Sequence, residues 1–179
     1  GPKRGRARLT RLAVLRAMSA ATPADALAAL LPLFPGGLDL LRFQLACNLD
    51  AAEGAALFAE AEMVTAGNAS ALAGLTPAHW RKLGHGIHAA LARWHERSPE
   101  ALGANEFELR RIFPERPLAQ LFNAAIGELI ETGKVCRAGT ILHLPGHKAE
   151  LAAAEMKIWR RIVPLLAAGG LRPPVVWEI

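Results

Sequence analysis

Tyrosine is absent from these 179 residues, and cysteine occurs only twice, as Cys47 and Cys136. Two thiols so far apart, with no CxxC pair and no ligand cluster beside either, speak against a disulfide framework or a zinc module and for reduced thiols in a cytosolic protein. β-Branched residues are scarce beside Ala and Leu, which disfavours extended sheets and leaves a mainly helical chain. Long apolar runs are also missing. Ala26 to Phe34 and Ile162 to Leu171 are interrupted by Pro or Gly and fall short of the roughly 20 residues of a bilayer span, so a soluble, cytoplasmic protein with no membrane partner is expected. Residues 1–16 are basic but lack the apolar core and cleavage site of a secretory signal. Gly1-Pro2 reads as a tag remnant or as a cut inside a longer protein. Ser98 and His95 lie close in sequence, but no ordered acid or oxyanion donor accompanies them, so no catalytic constellation is expected.

What is present is unevenly distributed. The formal charge is +5, which makes nucleic acid a reasonable partner class, although placement matters more than the sum. Residues 1–16 carry Lys3, Arg4, Arg6, Arg8, Arg11 and Arg16 without an acid. Residues 20–75 carry Asp25, Asp39, Asp50, Glu53, Glu60 and Glu62 against Arg42 alone. A basic arm precedes an acidic module.

Periodicity and punctuation divide the chain into repeats. A helical pattern over Leu9 to Arg16 stops near Ser19, and Thr22-Pro23 reads as an N-cap with Pro at the first helical position. A helix over Ala24 to Leu31, a break at Pro35-Gly36-Gly37, a short helix from Leu38 to Ala46, and an Asp50-capped helix reaching Val64 follow. Thr65 to Leu72 around Gly67-Asn68 reads as a hairpin. The same order recurs from Thr76-Pro77. Trp80, Leu83, Ile87, Leu91 and Trp94 form one apolar stripe, within about 80° of arc at 100° per residue. Asn105 to Phe113 gives a short helix and Pro117 to Thr132 a third, with Leu118, Leu121, Phe122, Ala125, Ile126 and Leu129 inward and Gly133 as C-terminal cap. Lys134 to Arg137 and Thr140 to Leu144 flank a turn at Ala138-Gly139. A third copy begins at His147, with Leu151, Ile158, Ile162 and Leu165 on one face, then Gly169-Gly170 and Pro173-Pro174 before Val175-Val176-Trp177. The predicted fold is mainly α with small β-hairpin wings, a tandem winged-helix array. Its modules are residues 1–73 with the basic arm, 74–146, and 147–179 as the truncated start of a third, with hinges near Gly74 and Gly146.

The second copy carries Trp80, Leu91-Ala92-Arg93-Trp94-His95, Ser98-Pro99, Leu102-Gly103, Glu108-Leu109-Arg110, Leu129, Gly133, Lys134-Val135, Leu142-His143-Leu144 and His147. This ordered series resembles the winged-helix tail of the bacterial selenocysteine-specific elongation factor. Trp159, Ile162, Leu166, Gly169 and Leu171-Arg172-Pro173-Pro174 are similar to the opening of that family's next winged helix. The resemblance implies a parent GTPase that carries selenocysteinyl-tRNA, with a tail of winged helices gripping an mRNA hairpin at a UGA codon on the ribosome. GTP and Mg would belong to the parent's N-terminal part, since no G-x-x-x-x-G-K-[ST] loop occurs here. In the family the last module holds the hairpin, and that module is not in this sequence. The alternative is a winged-helix transcriptional regulator or another nucleic-acid-binding module. A regulator would require a dimer surface and a basic recognition helix, whereas a translation-factor tail would be a monomer.

Both candidate recognition helices are acidic. The first, over 50–64, has four acids and no base; the second, over 117–132, has Glu128 and Glu131 and no base. Phosphate repulsion should keep them out of a groove and leave them as spacer and docking surfaces. Basic groups elsewhere offer backbone contacts. Lys3, Arg4, Arg6, Arg8 and Arg11 either neutralise phosphates or solubilise a linker. Lys134, Arg137, His143 and Lys148 on or beside the second wing either touch RNA or guard a strand edge. Trp159 with Arg160 and Arg161 either clamps a nucleotide or packs in a core. His85, His88 and His95 share one helix without Cys, Asp or Glu at ligand spacing, so no metal or other cofactor is expected; His88 and His95 flank the apolar stripe and are expected half-buried at a helix interface.

Overall fold

The computed structural model describes residues 3–149 and 153–169, and their side chains over 11–149 and 155–167. The first module opens with α1 (Lys3–Met18), so the basic arm is helical from Lys3 onward. The side chains of Lys3, Arg4, Arg6 and Arg8 lie outside the described ones, as does the stretch from Gly170 through Trp177. Helix α2 (Pro23–Leu30) starts where expected, with Thr22 accepting from the Asp25 amide and Pro23 in the first turn. A 3-10 turn, Leu31–Leu33, leads to the two-residue strand β1 (Leu38–Asp39). Asp39 both ends this strand and caps α3 (Leu40–Ala46), accepting from the Arg42 amide at 3.0 Å. Helix α4 (Ala51–Glu60) is opened by a reciprocal capping box of Asp50 and Glu53, which satisfies two otherwise orphaned backbone donors. It stops at Glu60, short of the expected Val64, because Val64 begins β2 (Val64–Asn68), paired with β3 (Ala71–Leu75). The turn is Ala69-Ser70, two residues later than Gly67-Asn68, and the Asn68 side chain closes it by accepting from the amides of Ser70 and Ala71.

The second module repeats this order. Helix α5 (Pro77–Arg97) is capped by Thr76 and buries Leu83, Ile87 and Leu91, with Trp80 and Trp94 half-buried at the ends of the stripe. Strand β4 (Ala104–Asn105) again ends in the cap of its helix, Asn105 accepting from the Glu108 amide ahead of α6 (Glu106–Arg111). Helix α7 (Ala119–Glu131) and the hairpin β5 (Cys136–Ala138) and β6 (Ile141–His143) complete it. The two sheets share one antiparallel topology, β1-β3-β2 and β4-β6-β5. In each, the first strand pairs with the last: Leu38 opposite Gly74, Ala104 opposite Leu142. The wing of each module is thereby tied to the strand before its second helix. From the third copy, α8 (Ala153–Gly169) is present with Pro164 inside it.

The expected hinge at Gly74 is not found. Gly74 lies inside β3, buried, where an added Cβ would sit 2.8 Å from Met63 Sδ and 3.1 Å from a Leu40 methyl. The two modules pack directly instead. Leu38 of the first sheet packs with its own module's helices, while Ala73 and Leu75 of β3 join the core that holds Leu121, Phe122 and Ile126 of α7. The Leu118 amide donates to the Gly36 carbonyl at 2.8 Å. Pro35-Gly36-Gly37, read from sequence as a break, is thus a contact between modules. A Cβ on Gly36 would overlap the Glu115 carbonyl, and one on Gly37 would overlap a Leu121 methyl. Burying three large side chains of α7 contributes about 1.5–3 kcal/mol each.

Gly37 has φ 104° and lies against the fully buried Leu121, whereas Gly133 has φ 68° with open space around it. Gly37→Ala should therefore lower the unfolding free energy by about 2–3 kcal/mol, against about 1 kcal/mol for Gly133→Ala. Urea titrations of both variants check this; equal losses would mean that the contact between modules adds nothing.

Candidate nucleic-acid interface

A winged helix usually reads a groove with its third helix, here α4 and α7. Helix α4 exposes Glu53 and Glu60 along an Ala-rich face. Helix α7 exposes Glu128 and Glu131, and Glu128 accepts from the Trp80 indole at 2.8 Å. The first module's wing lies along α7, so two obstacles, acidity and cover, keep it from a phosphate-lined groove.

Positive charge gathers on other surfaces. Arg81, Lys82, His85, His88, Arg93 and Arg97 are exposed along α5. Between α5 and α7, Arg81, His85, His88 and Lys134 line an open cleft of about 420 Å³ with Trp80 on its wall and Glu128 as its acid. On the far side of α5, Leu83, Ile112, Phe113 and Pro114 line an apolar hollow of about 430 Å³ rimmed by His79, Lys82 and Arg93. Lys82 holds Glu115 at 3.1 Å beside it. The Glu115 carboxyl lies below its ordinary value, first through its own backbone N–H and then through Lys82.

The residues singled out from sequence fall into different settings. Arg11 and Arg16 are exposed on α1, Lys134 and Lys148 are exposed near the second wing, and Arg160 and Arg161 are exposed on α8. Arg137 is ion-paired with Glu106, so its charge is already neutralised. His143 is half-buried, its Nδ1 donating to the Leu144 carbonyl at 3.1 Å, and does not face solvent as a wing contact would. Trp159 is 49% exposed and is not a core residue among the described ones; Ile158, Val163, Leu165 and Leu166 of α8 are exposed beside it. His88, expected half-buried beside the stripe, is exposed like His85, whereas His95 is half-buried as expected.

His95 belongs instead to a cluster at the end of α5. Its ring stacks on His147, with centroids 3.6 Å apart, and its Nε2 accepts from the Leu144 amide at 3.2 Å. An N–H donor needs a lone pair, so the neutral ring carries its proton on Nδ1, which is buried without a hydrogen-bond partner among the described residues. His147 Nε2 donates to the Ala101 carbonyl at 2.9 Å.

Sequence reasoning missed Arg110, Arg111 and Arg116 at the α6–α7 corner. Glu106, Glu108 and Glu115 lie close to them along the chain and suggest local pairing. The fold spends those acids elsewhere: Glu106 on Arg137, Glu108 on Asn105 and Glu115 on Lys82. With three acids and three arginines, residues 106–116 carry no net charge and gave no hint.

Comparison with known families bears on this geometry. Residues 88–144, from the middle of α5 through the second wing, match the family model described as elongation factor SelB, winged helix. The chain carries a SelB-family winged-helix region. No curated protein sequence matches the chain. The SelB-matched region contains Arg110, Arg111, Arg116, Lys134, Arg137, His95 and His143, while Arg81 and Lys148 lie outside it.

Burial first, then the neighbouring His147 and His143, push His95 below its ordinary value of 6.5. The unfolded chain then takes up this proton at higher pH than the folded one. The stability carried by the neutral ring is whole above about 6.5 and is lost as pH falls through the lower folded value. The urea midpoint should drop between about pH 7.5 and about pH 5, and drop less in His95→Gln, whose amide oxygen can still accept from Leu144. The same drop in both proteins would place the proton uptake at another group.

Proposed function

We infer that this chain is part of the winged-helix tail of a selenocysteine-specific elongation factor, spacing the GTPase and tRNA-binding body from an mRNA hairpin at a UGA codon. The SelB match carries the reading: it describes that factor's second winged helix and falls on the second of two modules with one topology. The covered, acidic α7 supports a spacer over a groove reader. A transcriptional regulator would need that helix free and basic.

On this reading the chain is not itself an enzyme and works as a monomer in the cytoplasm. GTP and Mg belong to the parent's body, and selenocysteinyl-tRNA and the ribosome are met through the parent. The chain's own dealings with RNA are electrostatic, through exposed cations. Among the described residues no helix is long and apolar enough to cross a membrane.

Fluorescence anisotropy with a selenocysteine-insertion hairpin and a scrambled duplex tests this. Both should bind within about threefold of each other and weaken by roughly tenfold or more between about 50 and about 200 mM salt, as counterion release requires. Tight binding selective for the hairpin and resistant to salt would make these modules readers of RNA and overturn the spacer role.

A further inference from the structure

Three arginines without an acidic partner among the described residues converge at the α6–α7 corner. Arg110, Arg111, Arg116, Pro117, Leu118 and Ala119 line an open cleft of about 530 Å³ that contains no carboxylate. The acids nearest in sequence each accept from another residue, Glu106 from Arg137, Glu108 from Asn105 and Glu115 from Lys82. Guanidinium groups brought together without a counterion repel one another, and a bound anion removes that cost. Arg116 has φ 48°, a left-handed conformation that Gly or Asn would adopt with less strain, so the turn alone does not explain an arginine there. The cleft also borders the start of α7, where Leu118 provides no side-chain cap.

An aromatic ring adjoins the arginines. Phe107 is 64% exposed on α6, and the Arg111 guanidinium lies 5.5 Å from its ring centroid. A phenyl ring with so much surface in water contributes little to the core. Set beside unpaired guanidinium groups, it offers a face on which a base can stack while the adjoining phosphates meet the arginines. A duplex hides its base faces, so the combination fits a single strand.

We propose that the α6–α7 corner binds single-stranded RNA, with backbone phosphates on Arg110, Arg111 and Arg116 and a base on Phe107. The choice of RNA rests on the reading of the chain as a translation-factor tail. The site itself rests on the cleft. It lies at the start of α7, beside the Gly36 contact between the modules, so RNA is held by the corner that precedes the third helix.

The test is anisotropy of the full chain with a labelled single-stranded RNA of about ten nucleotides, at several salt concentrations. Arg110→Gln and Arg116→Gln should each weaken binding about fivefold and lower the salt slope by about 0.7. Phe107→Ala should weaken it about fivefold with the slope unchanged. Arg42→Gln, which removes the same charge from exposed α3, should change it less than about twofold. Urea midpoints confirm that the variants fold. Losses as large for Arg42→Gln as for the cleft variants, or tighter binding of a phosphoserine peptide than of RNA, would overturn the site. A preference for duplex DNA over RNA would instead overturn the translation-factor reading, while the contrast between Arg116→Gln and Arg42→Gln would still report on the cleft.

Discussion

The burial of α7 between its own module and the sheet of the first is the constraint on which the rest depends. A three-stranded sheet with helices on one face needs a cover for the other, or it leaves apolar area in water. Here the cover is α7, whose Leu121, Phe122 and Ile126 are fully buried in a core that also holds Ala73 and Leu75 of β3. Gly36 and Gly37 let the backbone of the first module come within hydrogen-bond distance of Leu118, since a side chain at either would overlap the second module. The two winged helices therefore pack as one unit, and the helix that would ordinarily enter a groove is part of their joint.

With α7 occupied, charge placement follows. The exposed strip of α7 carries Glu128 and Glu131, and its neighbour Trp80 ties back to Glu128, so nothing on it attracts a phosphate. Exposed cations occupy α5 and the turn before α7 instead. The region that matches the SelB winged-helix model thus carries its exposed cations on its flank and not on its third helix.

Much of the fold was legible because its signals are local. Thr22, Asp50 and Thr76 cap the helices they were expected to cap, each accepting from amides two or three residues ahead. The stripe from Trp80 to Trp94 points inward because 3.6-residue periodicity survives any tertiary arrangement. Strands β1 and β4 were not legible. Two residues carry no periodicity, and each is a strand only because β3 or β6 offers a partner. Arg137 and His143 looked like free wing cations until Glu106 and the His95 cluster were brought beside them.

The sequence by itself determined the helices, their caps, the repeat of helix, helix, helix and hairpin, and the acidity of both third helices, since these follow from neighbouring residues and composition. Only the tertiary structure decided that Pro35-Gly36-Gly37 is a contact, that Gly74 is core, and that three arginines share a cleft. Each of those depends on which distant residue lies opposite. Glu115 turns to Lys82, 33 positions away, and Arg116 is left without an acidic partner among the described residues, which no local pattern encodes.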